Sequence, residues 1–144
     1  MNVVEIDVVE MKLAAGYSDE ALDHFENPRN VGAFDRPDQG IGTALVGARI
    51  HRDLLKLQIR VNNQDVIIDT RFRAYGSGLI IAVGSLITEW LKGKALDTAR
   101  ALTSQRIAEM LALPPLKIHC AVLAESAVKV AISDYTNKQL ADAG

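Results

Sequence analysis

The chain has 144 residues, a formal net charge of −2 at pH 7 and a single cysteine. This length is typical of one domain with its own hydrophobic core, and one cysteine excludes an intramolecular disulfide framework. The charge balance, without a block of Lys and Arg, excludes an electrostatic nucleic-acid surface. No apolar run reaches the roughly 20 residues of a membrane span, and the first residues lack the pattern of a secretion signal. We therefore expect a soluble, cytoplasmic protein.

The first predicted helix begins after Ser18, whose side chain can accept hydrogen bonds from first-turn N–H groups. Asp19 and Glu20 favour the positive end of the helix dipole. Pro28 ends this helix, because the residue before a proline avoids the α region. We interpret His24, inside the helix, as a partly exposed structural residue.

Three strand-like runs follow a loop rich in proline and glycine: "IGTALVGAR", "DLLKLQIRV" and "VIIDTRFRAYG". Glycines weaken the first run. The second alternates between two faces and places four aliphatic residues on one of them: Leu55, Leu57, Ile59 and Val61. The turn signal "NNQD" separates the second and third runs, which predicts an antiparallel hairpin.

Everything after Ser77 predicts helices, in four runs: "SGLIIAVGSLITEWLKGK", "ALDTARAL", "TSQRIAEMLAL" and "HCAVLAESAVKVAISDYTNKQL". Gly93 ends the first of them, and Thr103 or Ser104 caps the third. The prolines of "LPPLK" interrupt the pattern before the last. That last run shows apolar residues at helical spacing: Val122, Leu123, Ala127, Val130 and Ala131. Strands followed by helices predict an α+β fold, a small three-stranded antiparallel sheet packed against a layer of helices.

The two strongest candidates for a metal-binding or reactive site lie next to each other at the start of the last helix. Cys120 falls near the first turn, where unpaired N–H groups and the dipole lower a thiol pKa, and His119 adjoins it. The alternative is that Cys120 is a small buried apolar residue. His51, between the first two strands, is a loop histidine or a metal ligand. Asp53 shares a metal with it or pairs with a neighbouring arginine.

Ser77 stands between two glycines just before a helix. A helix cap explains it, since the spacing does not match the serine elbow of hydrolases and no phosphate-loop lysine follows. A hydrolase triad of Ser77, His51 and Asp53 has no support from spacing.

Four segments together resemble the IscU-type iron–sulfur cluster scaffold, which is also the N-terminal module of NifU: "YSDEALDHFENPRNVGAFD", "LKLQIRV", "YGSGLIIAVGSLITEWLKGK" and "LPPLKIHCAVLAESAVKVAISDY". The resemblance extends from Tyr17 to Tyr135 with order and spacing kept. It implies a scaffold domain over residues 17–144, preceded by an N-terminal extension over residues 1–16. It also implies a non-enzymatic role in building [2Fe–2S] clusters.

In that family three cysteines meet at one end of the fold, with an aspartate and with a histidine beside the third cysteine. Here His51 stands at the first cysteine position and Ser77 at the second. Asp53 matches the aspartate, and His119 with Cys120 matches the third position. The resemblance therefore implies that Cys120 remains from a site of three thiols.

The implied ligand set is His51, Asp53, His119 and Cys120, with Ser77 as a degenerate position. Imidazole replaces thiolate in some clusters, whereas a serine hydroxyl is rarely deprotonated. Two nitrogens, one oxygen and one sulfur suit Zn²⁺ or a single Fe²⁺ better than a cluster. We expect iron or an altered [2Fe–2S] cluster as cargo, with zinc as the alternative.

The resemblance also implies partners. Leu113, Pro114, Pro115, Leu116 and Lys117 match the segment that the family presents to an Hsp70/J-type chaperone system, and a cysteine desulfurase supplies sulfur. A second copy of the chain could complete the ligand set, as a homo-oligomer. The competing hypothesis is a cluster-free paralogue, which would act as a regulatory or adaptor module for the chaperone or the desulfurase.

Overall fold

The structure is a computed structural model, and it describes residues 17–36, 38–48, 50 and 52–143. The predicted extension over residues 1–16 lies outside these residues, as does His51. Within the described ranges, every helix is too short or too polar to cross a membrane.

The elements in chain order are helix α1 (Asp19–Glu26), strands β1 (Ile41–Ala48), β2 (Asp53–Val61) and β3 (Ile67–Tyr75), helices α2 (Gly78–Leu91), α3 (Leu96–Arg100) and α4 (Ser104–Leu111), a 3-10 helical turn (Pro115–Lys117) and helix α5 (Ile118–Ala143). The strands form one antiparallel sheet in the order β1-β2-β3. Helices α5 and α2 pack on one face of it, α5 against β1 and β2 and α2 mainly against β3. This confirms the predicted α+β fold with three antiparallel strands.

The alternation of aliphatic and polar side chains along β2 determines which face of the sheet is buried. Leu55, Leu57 and Ile59 are each 1% exposed, on the face that the helices cover. The loop that follows α1 covers part of the opposite face, where the Phe34 ring contacts the guanidinium groups of Arg60 and Arg71, at 4.8 and 5.1 Å from the ring centroid. The rest of that face is open, since Leu45 is 62% exposed.

Glycine in β1 serves packing rather than a turn. A Cβ at Gly42 would overlap the carbonyl oxygen of Ala131, so α5 could not approach the strand at its observed depth. The same edge of the sheet is held to α5 by side chains, since Asp134 Oδ2 accepts from the Thr43 N–H at 2.8 Å. The glycines weakened the prediction of β1 as a strand. It is nevertheless a strand, because α5 packs against it.

The predicted helix ends are confirmed. Ser18 Oγ accepts from the Ala21 N–H at 3.1 Å, and Thr103 Oγ1 accepts from the Arg106 N–H at 3.1 Å. Gly93, with φ +84°, follows the end of α2. In the β2–β3 turn, the Asn62 side chain accepts from two following N–H groups.

Val122 and Val130 belong to the predicted helical pattern of α5 but are 49% and 44% exposed. One expectation about burial is wrong, because His24 is 6% exposed rather than partly exposed. It is buried because it belongs to a hydrogen-bond network that ties α1 and the loop after it to α2.

That network is the His24 cluster, made of His24, Arg29, Ser85, Thr88 and Asn30. The Ser85 hydroxyl lies 2.7 Å from His24 Nδ1 and accepts from the Arg29 N–H at 2.9 Å. The Thr88 hydroxyl accepts from the Asn30 amide at 3.2 Å. These contacts explain the motif "HFENPRN" as a clamp that fixes the loop against α2.

Candidate metal centre

Asp53 is the first residue of β2 and is 3% exposed. Its Oδ1 accepts from the Ser77 N–H at 2.9 Å, which ties the start of β2 to the start of α2. Gly76 makes this contact possible: its φ is +130°, and a Cβ there would overlap Asp53 Oδ1. The carboxylate is therefore fixed in position by a neighbouring segment that only glycine permits.

His119 and Cys120 come from the first turn of α5. The prolines before them cannot continue α4, and the 3-10 turn at Pro115–Lys117 leads directly into α5. Cys120 is fully buried, whereas the His119 side chain is 21% exposed. Both side chains lie beside the Asp53 carboxylate.

The three side chains, called here the Asp53 cluster, gather one oxygen, one nitrogen and one sulfur. His119 Nε2 lies 3.4 Å from Asp53 Oδ2 and 3.4 Å from Cys120 Sγ. The Cys120 Sγ to Asp53 Oδ2 distance is 3.7 Å. Among the described residues, no other group of three His, Cys, Asp or Glu side chains gathers ligand atoms in this way.

These distances match those around a tetrahedral metal ion. Metal–ligand bonds of about 2.0–2.3 Å place tetrahedral ligand atoms about 3.3–3.8 Å apart. All three observed separations lie in that interval. The residues present therefore fit a single Zn²⁺ or Fe²⁺ ion with a fourth position for another ligand.

The Cys120 thiol does not behave as its place in the helix predicts. Burial, then the negative charge of Asp53 and a hydrogen bond to that carboxylate, raise its pKa to about 12. Ser77 and Lys117 oppose the rise. The predicted lowering by the helix dipole is thus wrong, because desolvation and a carboxylate outweigh the dipole. A metal ion binding here must displace the thiol proton.

The structure brings together three of the four predicted ligands, Asp53, His119 and Cys120. His51 lies outside the described residues. Ser77 occupies the N-cap position of α2, but its side chain makes no capping hydrogen bond. Its hydroxyl interacts with Cys120 instead.

Two neighbours of the Asp53 cluster, Tyr17 and Gly76, were not predicted from the sequence to belong to the site. Tyr17 is 8% exposed, and burial, then the charges of Cys120 and Asp53, raise the pKa of its phenol. Gly76 supports the carboxylate. The pattern "YGSG" contains a signal for Gly76, since paired glycines indicate close backbone approach; nothing in the sequence links Tyr17 to the cluster.

Exposed apolar side chains flank the centre. Leu116, in the turn before α5, is 88% exposed, and Tyr75, at the end of β3, is 56% exposed. Leu113 is half-buried and packs against the core. It therefore anchors the "LPPLK" segment, which exposes Leu116. Large apolar side chains exposed together are typical of contact surfaces.

Comparison with known proteins agrees with this geometry. The family profile of the NifU-like N terminal domain matches residues 16–142. The iron–sulfur cluster assembly scaffold protein IscU of Escherichia coli K12 is 54% identical over 123 residues, covering 85% of this chain and 96% of that protein. IscU of Azotobacter vinelandii is 53% identical with the same coverage.

Solved structures show the same fold at low identity. A NifU-like N-terminal protein from Brucella abortus has a TM-score of 0.68 at 16% identity, covering 92% of this chain and 99% of that one. A putative SUF-system scaffold protein from Fervidobacterium islandicum has a TM-score of 0.65 at 14% identity, covering 81% and 96%. From the profile match and the identity to IscU, the chain belongs to the NifU-like N-terminal domain family of iron–sulfur cluster assembly scaffold proteins.

Proposed function

We propose that this scaffold protein binds iron through Asp53, His119 and Cys120, with His51 as a fourth ligand, and passes it on within the assembly machinery. The observation that carries the proposal is the spacing of three ligand atoms, all within 4.8 Å of one another. Iron is cargo here, held and released by the protein. No covalent turnover at these residues is required, so the chain acts as a scaffold and not as an enzyme.

A single iron ion fits the ligand set better than a cluster closed within one chain. The chain has one cysteine, whereas a [2Fe–2S] cluster is normally held by four thiolates, or by two thiolates and two imidazoles. Two copies of the chain would together supply two thiolates and the imidazoles. We therefore propose a [2Fe–2S] cluster only as a species shared between two chains.

Zinc is the alternative cargo, since Zn²⁺ accepts the same mixture of oxygen, nitrogen and sulfur. Because the metal must displace the Cys120 proton, affinity for either ion should rise with pH. Zinc has no redox chemistry, so a site that retains zinc alone would leave the chain without cluster-building capacity.

We further propose two partner contacts. The exposed Leu116, on a proline-rich and therefore preorganised segment, supports binding by an Hsp70/J-type chaperone system. Cys120 is the only thiol and therefore the only acceptor for sulfur from a cysteine desulfurase. Its burial means that sulfur transfer requires the start of α5 to open.

The test is anaerobic reconstitution with iron, sulfide and reductant, followed by iron and sulfide analysis. We expect about one iron per chain without sulfide, or a brown species with equal iron and sulfide and two chains per cluster. Cys120→Ala should lower iron affinity on the order of 100-fold, whereas Ser77→Ala should change it little. A colourless protein that binds no iron under these conditions would overturn the proposal.

The competing function, a cluster-free adaptor, is favoured by one observation, the 88% exposure of Leu116. It predicts that the metal-free protein binds the chaperone as tightly as the metal-loaded protein. Leu116→Ser should then remove chaperone binding while Cys120→Ala leaves it unchanged. Chaperone binding that requires the metal would exclude the adaptor.

A further inference from the structure

An open cavity lies at the end of the molecule opposite to the Asp53 cluster. It has a volume of about 440 Å³ and lies between the β2–β3 turn, α3 and the C-terminal half of α5. Along α5, the 15 residues from Cys120 to Tyr135 span about 22 Å. Along β2, the strand from Asp53 to Val61 spans about 26 Å. The cavity is therefore separate from the metal centre.

Tyr135 gives this cavity an accessible polar group. The residue is 7% exposed, yet no hydrogen bond joins its hydroxyl to a described residue. Every fully enclosed side-chain oxygen or nitrogen of the described residues has a partner. The hydroxyl is therefore the part of Tyr135 that reaches the cavity, where it can donate or accept a hydrogen bond.

Several other side chains that line the cavity carry acceptors. Asp65 lines the same cavity as Tyr135, and burial and then the Asp65 carboxylate raise the pKa of the Tyr135 phenol. Gln139 donates its amide nitrogen to the Gln39 carbonyl, which leaves its amide oxygen as an acceptor. Gln64 lines the same side of the cavity.

The one cation among the described lining residues is already paired. Arg100 donates to Asp97 Oδ1 at 2.8 Å and to the Thr136 hydroxyl at 3.5 Å. An anionic ligand would meet Asp65 and Asp97 without a free cation. A ligand with several N–H donors and a positive charge meets the acceptors directly.

Leu96 and Leu140 supply apolar walls beside these acceptors. We propose that the cavity binds an alkylammonium group, whose ammonium donates to Asp65, the Tyr135 oxygen and the Gln139 amide oxygen while its methylenes contact the leucines. An ammonium has three donors and no acceptor, which matches the three acceptors that line this one cavity. The group belongs either to a free aliphatic diamine or to a lysine side chain of a partner protein.

The test is a titration of the ¹⁵N-labelled full chain with cadaverine, followed by amide chemical shifts. We expect saturable shifts at residues 64–65, 95–100 and 135–140, and none at 53 or 119–120. The matched probe is 1,5-pentanediol, which has the same methylene chain without the charge; it should bind at least ten-fold more weakly. Equal shifts with both probes, or shifts spread over the surface, would overturn the proposal.

Variants of the full chain test the assigned acceptors. Asp65→Asn should weaken cadaverine binding at least ten-fold, and Tyr135→Phe several-fold with the ring packing retained. The control is Asp142→Asn, which removes an exposed charge from the same helix and should have no effect. If Asp65→Asn and Asp142→Asn change binding equally, only non-specific charge attraction is present and the site does not exist.

The source of the ammonium group is decided by a third probe, Nα-acetyl-lysine methylamide. Tighter binding than cadaverine indicates a lysine presented by a protein, whereas weaker binding indicates a free diamine. Failure of both probes to saturate would contradict the proposal. The protein needs no metal in any of these titrations, so the outcome is independent of the proposed iron site.

Discussion

The His24 cluster and the Asp53 cluster each place a histidine among polar side chains, but their hydrogen bonding differs. In the His24 cluster, the Ser85 hydroxyl lies 2.7 Å from His24 Nδ1 and accepts from the Arg29 N–H at 2.9 Å. In the Asp53 cluster the closest separations are 3.4–3.7 Å. When deprotonated, its carboxylate and thiolate are both negative and repel each other.

This difference in hydrogen bonding indicates that the His24 cluster is structural, whereas the Asp53 cluster is suited to binding a ligand. Donors and acceptors in the His24 cluster satisfy each other, so nothing further is needed at neutral pH. In the Asp53 cluster the thiol keeps its proton because burial and then the Asp53 carboxylate disfavour the thiolate. A cation would remove that conflict, which is why a metal ion suits one cluster and not the other.

The largest expected effect on the Asp53 cluster comes from a substitution at Gly76. Gly76→Ala should destabilise the fold by about 3 kcal/mol or more and abolish metal binding, because the new Cβ would overlap Asp53 Oδ1. Gly93→Ala is the matched control, since it has a positive φ and no atom within 4 Å of the added Cβ. The control should cost only about 1–2 kcal/mol. Urea unfolding measures both, and equal costs would refute the close-contact explanation.

The repulsion within the Asp53 cluster can be measured on the metal-free protein. Asp53→Asn should lower the pKa of Cys120 below about 12, because the carboxylate charge disappears. The pKa should stay above the ordinary 9.0, since burial, the larger cause, remains. Thiolate absorbance against pH gives the value. An unchanged pKa in Asp53→Asn would mean that the two groups are not coupled.

The His24 cluster predicts a pH dependence of stability. Burial and then Arg29 lower the pKa of His24 in the folded state, so the unfolded chain binds a proton more readily. Stability is therefore complete above the ordinary pKa of about 6.5 and falls as the pH drops through it. The slope is at most about 1.4 kcal/mol per pH unit for one proton.

His24→Gln should remove this component and flatten the stability profile between pH 7.5 and 5. Carboxylates whose pKa is lowered, such as Asp23 and Asp69, act at lower pH and leave this window unaffected. Chemical denaturation at several pH values measures the slope. A profile in His24→Gln as steep as in the parent protein would show that His24 is not the titrating group.

The smallest expected effect concerns Ser77. Its backbone N–H, which any residue supplies, holds Asp53, so Ser77→Ala should change iron affinity less than about two-fold. Ser77→Cys together with His51→Cys should instead increase retention of a reconstituted cluster, because thiolates are the usual cluster ligands. Iron and sulfide content after gel filtration compares these proteins. No gain from the double substitution would mean that residue 77 does not face the same metal position as Cys120.

Much of the fold follows from local patterns. The alternation of β2 placed Leu55, Leu57 and Ile59 on the buried face because strand side chains alternate between faces. Ser18 and Thr103 marked helix starts because a short hydroxyl side chain satisfies first-turn N–H groups. Such features depend on neighbours in sequence and are predictable from it.

Features that depend on tertiary packing were not predictable in this way. The burial of His24 requires Ser85, 61 residues later, and the raised pKa of Cys120 requires Asp53, 67 residues earlier. The candidate metal ligands were brought together as one site by the family resemblance rather than by their spacing in the sequence. Tyr135 had no sequence signal at all, since its role depends on a cavity that three separate elements line.

The most direct test of the central claim is X-ray absorption at the iron edge, on protein loaded anaerobically with Fe²⁺ in the absence of sulfide. We predict one sulfur neighbour per iron with nitrogen and oxygen completing the shell, and loss of that sulfur together with most of the affinity in Cys120→Ala. Iron bound by nitrogen and oxygen alone, with the same affinity in Cys120→Ala, would contradict the account.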